Sequence, residues 1–171
     1  MSTAEPTPDE IAALLQVEHL LDQRWPETKI EPSTVRIVAL MEMLGNPQLT
    51  YPCIHIAGTN GKTSVARMVD SLLTAFSRRT GRTTSPHLQS AVERISIDGK
   101  PVSPAVYVDT YREIEPFVQL VDAQSEEAGG PRMSKFEVVT AMATQVPNAS
   151  KQASVVEAAD APVDLGKIQM H

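Results

Sequence analysis

A chain of 171 residues with 42% hydrophobic and 21% charged positions has the length and composition of one globular unit with its own core. Its formal net charge of −6 argues against a general nucleic-acid binder, and no apolar run reaches the ~18 residues that a membrane-spanning helix requires. A lone cysteine, Cys53, excludes an internal disulfide framework and a cysteine-rich zinc site. The charge is unevenly spread: residues 61–100 hold seven Lys/Arg against three Asp/Glu, a balance of +4, which leaves −10 for the remainder. That local excess suits a small polyanionic ligand, and equally a solvated basic face. The acidic, proline-containing start has no basic-then-apolar pattern of a signal peptide, so a cytoplasmic protein is expected.

In chain order, Thr7-Pro8-Asp9-Glu10 reads as a helix start, with Thr7 as cap, Pro8 in the first helical position and Glu10 closing a capping box. Ile11, Leu14, Leu15, Leu20 and Leu21 follow at helical spacing, predicting a helix over 8–23. A second helix is expected to start at Ser33 or Thr34 and to stop at Gly45, with Pro47 just beyond. Residues 51–57 form a short, mostly apolar run with β-branched content, which predicts a buried strand. A helix over 63–79 follows, with Val65, Met68, Val69, Leu72, Leu73 and Phe76 on one face and Gly81 closing it. Arg82 to Ser85 reads as a short strand stopped by Pro86, and Glu93 to Val102 as a hairpin turning at Asp98-Gly99. Ser103-Pro104 opens a helix to about Leu120, buried through Val106, Tyr107, Tyr111, Ile114 and Phe117, and 122–132 is expected as a loop. Ser134 caps a further helix through Phe136, Val138, Val139 and Met142. From Thr144 onward no periodicity is sustained, and a loosely attached tail over 144–171 is expected.

The segment Gly58-Thr59-Asn60-Gly61-Lys62-Thr63, between a predicted strand and a predicted helix, has the context of a phosphate-binding loop. Glycines let successive N–H groups converge, and the helix N-terminus adds a partial positive charge. Lys62 would neutralise β- and γ-phosphate oxygens, while the Thr63 or Ser64 hydroxyl could reach phosphate or a metal. The longer six-residue form of this loop would place glycine where Ile56 stands, so the match is to a shorter form. His55 and His87 have no second histidine at metal-ligand spacing, and Cys53 reads most simply as a small core residue.

The ordered set HIAGTNGKTS, TTSPHL, ERISIDGKPVS and MSKFEVVTAMA resembles folylpolyglutamate synthase/dihydrofolate synthase of the Mur-ligase superfamily, over roughly residues 8–143. The resemblance implies an α/β ATP-binding domain, a mainly parallel sheet flanked by helices, occupying 1–143. It implies ATP-dependent addition of L-glutamate to folate or dihydropteroate through an acyl phosphate, with ATP and Mg2+ required. Residue by residue it implies Gly58, Thr59, Asn60, Gly61, Lys62, Thr63 and Ser64 as ATP-binding, with Lys62 catalytic. It further implies Ser85 and Glu137 as metal ligands, and Ile30, Arg36, Ser134 and Phe136 against the pteroate end of the substrate. Alone, Glu137 reads equally as a first-turn helix carboxylate, Ser85 as a turn hydroxyl and Phe136 as core. The partners implied are small molecules, with no nucleic acid, no membrane and a monomeric chain.

Beyond Ala143 the resemblance breaks. The family's later strand, its glycine motif, a third metal ligand and the smaller glutamate-binding domain have no counterpart in TQVPNASKQASVVEAADAPVDLGKIQMH. A shortened form of the ligase, without glutamate-dependent phosphate release, is therefore expected. A complete small P-loop NTPase or kinase and a non-catalytic nucleotide-binding remnant are the alternatives.

Overall fold

In the computed structural model the chain is described over residues 5–24, 34–85, 90–148 and 153–158. Helix α1 spans Pro8–Asp22 behind the expected capping box: the Glu10 amide donates to Thr7 Oγ1 at 3.3 Å and the Thr7 amide to Glu10 Oε2 at 2.7 Å. Leu14, Val17 and Leu21 form its buried stripe, while Ile11, Leu15 and Leu20 lie exposed. Helix α2, Val35–Met43, ends where Gly45 takes the left-handed conformation (φ +76), and the Asn46 amide closes onto Met41 O at 2.7 Å. A short 3-10 turn, Pro47–Leu49, leads to strand β1, Cys53–Ile56.

Helix α3, Lys62–Ala75, is shorter than its apolar period suggests. It stops not at Gly81 but at Phe76, because Ser77 (φ +58) supplies the left-handed residue and the Arg78 amide caps Leu73 O at 2.9 Å. Gly81 instead lies buried inside strand β2, Arg79–Thr84. The expected hairpin is present as β3, Ile95–Ile97, and β4, Lys100–Pro101, joined by Asp98 (φ +50) and Gly99 (φ +77). Helix α4, Pro104–Glu127, is capped by Ser103 and continues through residues expected to be loop. Its last turns, Ala123-Gln124-Ser125-Glu126-Glu127, hold good helix formers, and the glycines act only after it: Gly129 (φ +77) follows the cap and the Gly130 amide returns to Ser125 O.

Helix α5, Lys135–Asn148, runs past Ala143, and Ala153–Ala158 form strand β5. This corrects the expectation of a loose tail from 144: part of that segment is the second strand of the sheet, although 149–152 and 159–171 lie outside the described residues. The strand order is β1-β5-β2-β3-β4, with β1, β5 and β2 parallel and β3 and β4 antiparallel. The architecture is thus α/β, with a parallel half and an antiparallel hairpin at one edge.

Helix α3 packs against β2, β5 and β1, and α5 against β2 and β5. Thr80 and Arg82 bond to α3, so the pleat turns Gly81 and Thr83 to the opposite face, that of α5. The main core lies among the helices, where Leu21, Leu40, Tyr107, Ile114, Val118, Met133, Val138 and Met142 are wholly buried. A second cluster is much smaller: Ala66 of α3, with Ile56, Val69 and Leu73 around it.

Strand β1 is not the buried strand expected from its composition. It stands at the edge of the described sheet, and Cys53, Ile54 and His55 are exposed. On α3, the face expected to be apolar and buried leaves Val65, Met68, Leu72 and Phe76 exposed, Phe76 by 77%. No helix among the described residues is long and apolar enough to cross a membrane.

Candidate nucleotide and metal site

Three parallel strands direct their carboxyl ends to one edge of the sheet. The loop Gly58–Gly61 leaves β1 at that edge and opens directly into α3, and Ser85 follows β2 at the same edge. Helix α5 returns to the sheet through only four residues before β5, fewer than its own length could span, so its start lies toward the same edge. A crevice outside the carboxyl ends of parallel strands is where open α/β sheets bind ligands.

Gly61 holds φ +75 as the residue before α3, a left-handed conformation that a side chain would strain, and nothing lies within 4 Å of where its Cβ would sit. The requirement for glycine is therefore conformational, not steric. The Lys62 ammonium folds back over the loop and donates to Gly58 O at 2.6 Å. Thr59, Asn60, Thr63 and Ser64 are exposed around it, so their polar groups remain accessible from outside.

Glu137 is held from two sides. With Ser134 it forms a capping box: Oε2 accepts from the Ser134 amide at 2.7 Å and the Ser134 hydroxyl at 2.9 Å, while the Glu137 amide donates to Ser134 Oγ at 3.2 Å. From α2, the Arg36 guanidinium reaches it as a two-pronged fork, Nε to Oε1 at 3.2 Å and Nη2 to Oε2 at 3.4 Å. Both side chains are 11% exposed. The start of α5 is anchored further by Asp122, almost wholly buried on α4, whose Oδ1 accepts from the Met133 amide at 2.7 Å and whose Oδ2 pairs with Arg24 at 3.0 Å.

Among the residues expected to form the site, the structure therefore joins Arg36, Ser134 and Glu137 into one cluster, with Phe136 partly buried beside it. Ser85 is partly buried at the end of β2, and Ile30 lies outside the described residues. Sequence reading did not connect Arg36 with Glu137, because the two are 101 positions apart and nothing local marks the pair. Asp122 gave no signal either, because 122–132 reads as a loop and only the structure carries α4 through it.

Hard oxygen donors at Glu137, Ser85 and the Thr63 hydroxyl suit magnesium. That ion keeps several waters and needs only one or two protein oxygens alongside substrate phosphate. Glu137 Oε1 takes a single hydrogen bond among the described residues and so retains a lone pair for such an ion. Among the described residues no group of three or more His, Cys, Asp or Glu could hold a metal by itself.

A strand, a glycine turn and a helix, with a supported carboxylate near the same sheet edge, define a P-loop α/β domain of the Mur-ligase type. No family model matches the chain. It is 68% identical over 168 residues to the dihydrofolate synthase/folylpolyglutamate synthase of Mycobacterium tuberculosis, a match spanning 96% of this chain and 32% of that protein. The structure of Mycobacterium tuberculosis folylpolyglutamate synthase complexed with ADP superposes with a TM-score of 0.81 at 69% identity, covering 87% of this chain and 32% of the other. A bifunctional folylpolyglutamate synthase/dihydrofolate synthase with Mn, AMPPNP and L-glutamate bound gives a TM-score of 0.69 at 25% identity, covering 89% and 34%. The chain belongs to the folylpolyglutamate synthase/dihydrofolate synthase family and spans about a third of the length of these relatives. A small unrelated NTPase or kinase is thereby set aside.

Proposed function

We propose that these 171 residues bind ATP with a divalent cation as part of a ligase that joins L-glutamate to folate or dihydropteroate. The observation that carries this reading is the placement of the Gly58–Lys62 loop and the Arg36-supported Glu137 toward the carboxyl edge of the same parallel strands. Relatives with ADP, or with AMPPNP and Mn, in the corresponding fold support it. The complete reaction is part of the proposal, since the chain spans about a third of those proteins.

In that reaction the substrate carboxylate takes the γ-phosphoryl group and the resulting acyl phosphate is attacked by the amine of glutamate, releasing phosphate. The carboxylate needs activation because it is a poor electrophile, and the protein's part is mainly positioning and charge neutralisation. Backbone N–H groups of 58–63 and the α3 N-terminus cradle the phosphates, and the Lys62 ammonium exchanges the Gly58 carbonyl for phosphate oxygens. Ser85 and Glu137, with the Thr63 or Ser64 hydroxyl, would hold magnesium, which supplies positive charge against the transferring phosphoryl oxygens. Arg36 and Ser134 fix the Glu137 carboxylate for that ion while facing the pteroate end of the substrate, to which Phe136 offers an apolar surface. The protein works as a cytoplasmic monomer on small-molecule substrates, without nucleic acid or membrane.

Calorimetric titration of the chain with ATP, with and without magnesium, tests the reading. Binding should strengthen with magnesium, should be lost in Lys62→Ala, and should lose only its magnesium-dependent part in Glu137→Ala. Equal MgATP affinity in the parent chain and Lys62→Ala would remove the basis for the proposal.

A further inference from the structure

Helix α3 carries the phosphate loop at its N-terminus, and its apolar cluster with the sheet is small among the described side chains. Ala66 is its one fully buried apolar residue, and among the described side chains Ile56, Val69 and Leu73 surround it. The helix also carries a buried polar junction with β2. Asp70, 2% exposed, accepts from the Thr80 hydroxyl through Oδ1 and from Arg82 Nε through Oδ2 at 3.0 Å. Arg82 passes the junction on to β3 by donating from Nη2 to Ser96 Oγ at 3.0 Å. Thr80 is held in turn by the β3–β4 turn: its amide donates to Asp98 Oδ1 and its carbonyl accepts from the Asp98 amide, both at 2.9 Å.

A buried ion pair is weak evidence of stability, since apolar side chains of similar volume often serve as well. Its distinguishing property is direction: two carboxylate oxygens engaged by two residues of one strand fix both the height and the rotation of the helix. The position of the junction gives that property a use. Asp70 lies eight residues along α3 from Lys62, about 12 Å at the helical rise. Arg82 lies three residues before Ser85, about 10 Å along β2. A rotation of roughly 5° about the junction would therefore shift the loop by about 1 Å relative to Ser85, a misplacement of the size that costs on the order of a hundredfold in rate where groups must align.

We propose that Asp70 is a positioning residue for magnesium-nucleotide binding: through Thr80 and Arg82 it sets the register of α3 on β2, and so the separation of the phosphate loop from Ser85. The inference rests on the nucleotide reading of the loop and concerns residues that touch no ligand.

The experiment measures ATP affinity in magnesium and in EDTA for the parent chain, Lys62→Ala, Asp70→Asn and the double variant Asp70→Leu/Arg82→Met. The double variant replaces the junction by apolar bulk and should unfold at the parent's midpoint or above. It should nevertheless lose about tenfold or more in MgATP affinity, with ATP affinity in EDTA changed by less than about threefold. Asp70→Asn, which keeps the shape and drops the charge, should lower the ratio of the two affinities by about threefold or more, and decides the matter should the double variant fail to fold. A folded variant that keeps the parent's magnesium-dependent gain would overturn the positioning role. If the parent chain itself shows no such gain, or Lys62→Ala binds as well as the parent, the nucleotide reading falls and this inference with it.

Discussion

The Arg36–Glu137 pair offers the most informative perturbation of the cluster at the start of α5. Substituting Arg36→Met removes a fork of two hydrogen bonds from a carboxylate that is 11% exposed, leaving Ser134 as its remaining support. Removing one partner of a buried pair costs roughly 3–5 kcal/mol because the other charge is left uncompensated. The two bonds that Ser134 retains place this case at the lower end, about 3 kcal/mol. For a chain of this size that corresponds to a fall of roughly 6–12 °C in the unfolding midpoint. Glu137→Leu loses the same pair and a cap contact worth about 1 kcal/mol more. With both changes together no charge is stranded, so the double variant should recover a coupling energy of about 2 kcal/mol relative to the sum. Urea unfolding followed by circular dichroism measures all three variants. A coupling below about 0.5 kcal/mol would show that the fork seen between α2 and α5 does not hold in solution.

Among the described residues the buried Tyr107 hydroxyl has no hydrogen-bond partner, so Tyr107→Phe should leave the neutral-pH midpoint unchanged or raise stability by about 1 kcal/mol in thermal unfolding. Burial pushes the phenols of both Tyr107 and Tyr111 above their ordinary value of 10.0. Their raised folded values mean that stability is intact below that point and falls as pH climbs past it, because the unfolded chain ionises first. Tyr107→Phe should flatten part of that alkaline decline, and a decline unchanged by the substitution would remove Tyr107 as its source. At Gly61, where a Cβ would meet nothing within 4 Å, substitution by Ala should cost only the roughly 1–2 kcal/mol of a left-handed backbone. It should also weaken ATP binding in calorimetry, and wild-type affinity in that variant would show that the loop does not need this conformation to bind.

The legible parts of the fold were those whose cause is local. Thr7 and Glu10 sit three residues apart and bond to each other, so the capping box could be read directly. Asp98-Gly99 turned the hairpin because two successive residues with positive φ are what such a turn requires. Errors arose where two local signals competed, as at the end of α3. There the apolar period ran on toward Gly81, but Ser77 took the left-handed position and Gly81 was left to the strand. Strand β5 gave no warning, since Ser154 and Glu157 break the apolar run that a central parallel strand usually shows.

The sequence by itself determined the glycine loop, its helix and the residue types able to meet phosphate and a hard metal ion, because these depend on neighbours in the chain. Burial was decided by the tertiary structure alone. The apolar run of β1 became an exposed edge, and the polar run of β2 became buried from Thr80 on, its buried Arg82 met by Asp70 and Ser96 from elsewhere. The pairing of Arg36 with Glu137 belongs to the same class, since two helices far apart in the chain must pack before that fork exists. Short-range dihedral and capping preferences are written residue by residue, whereas the partner of a buried charge depends on which elements the completed fold brings together.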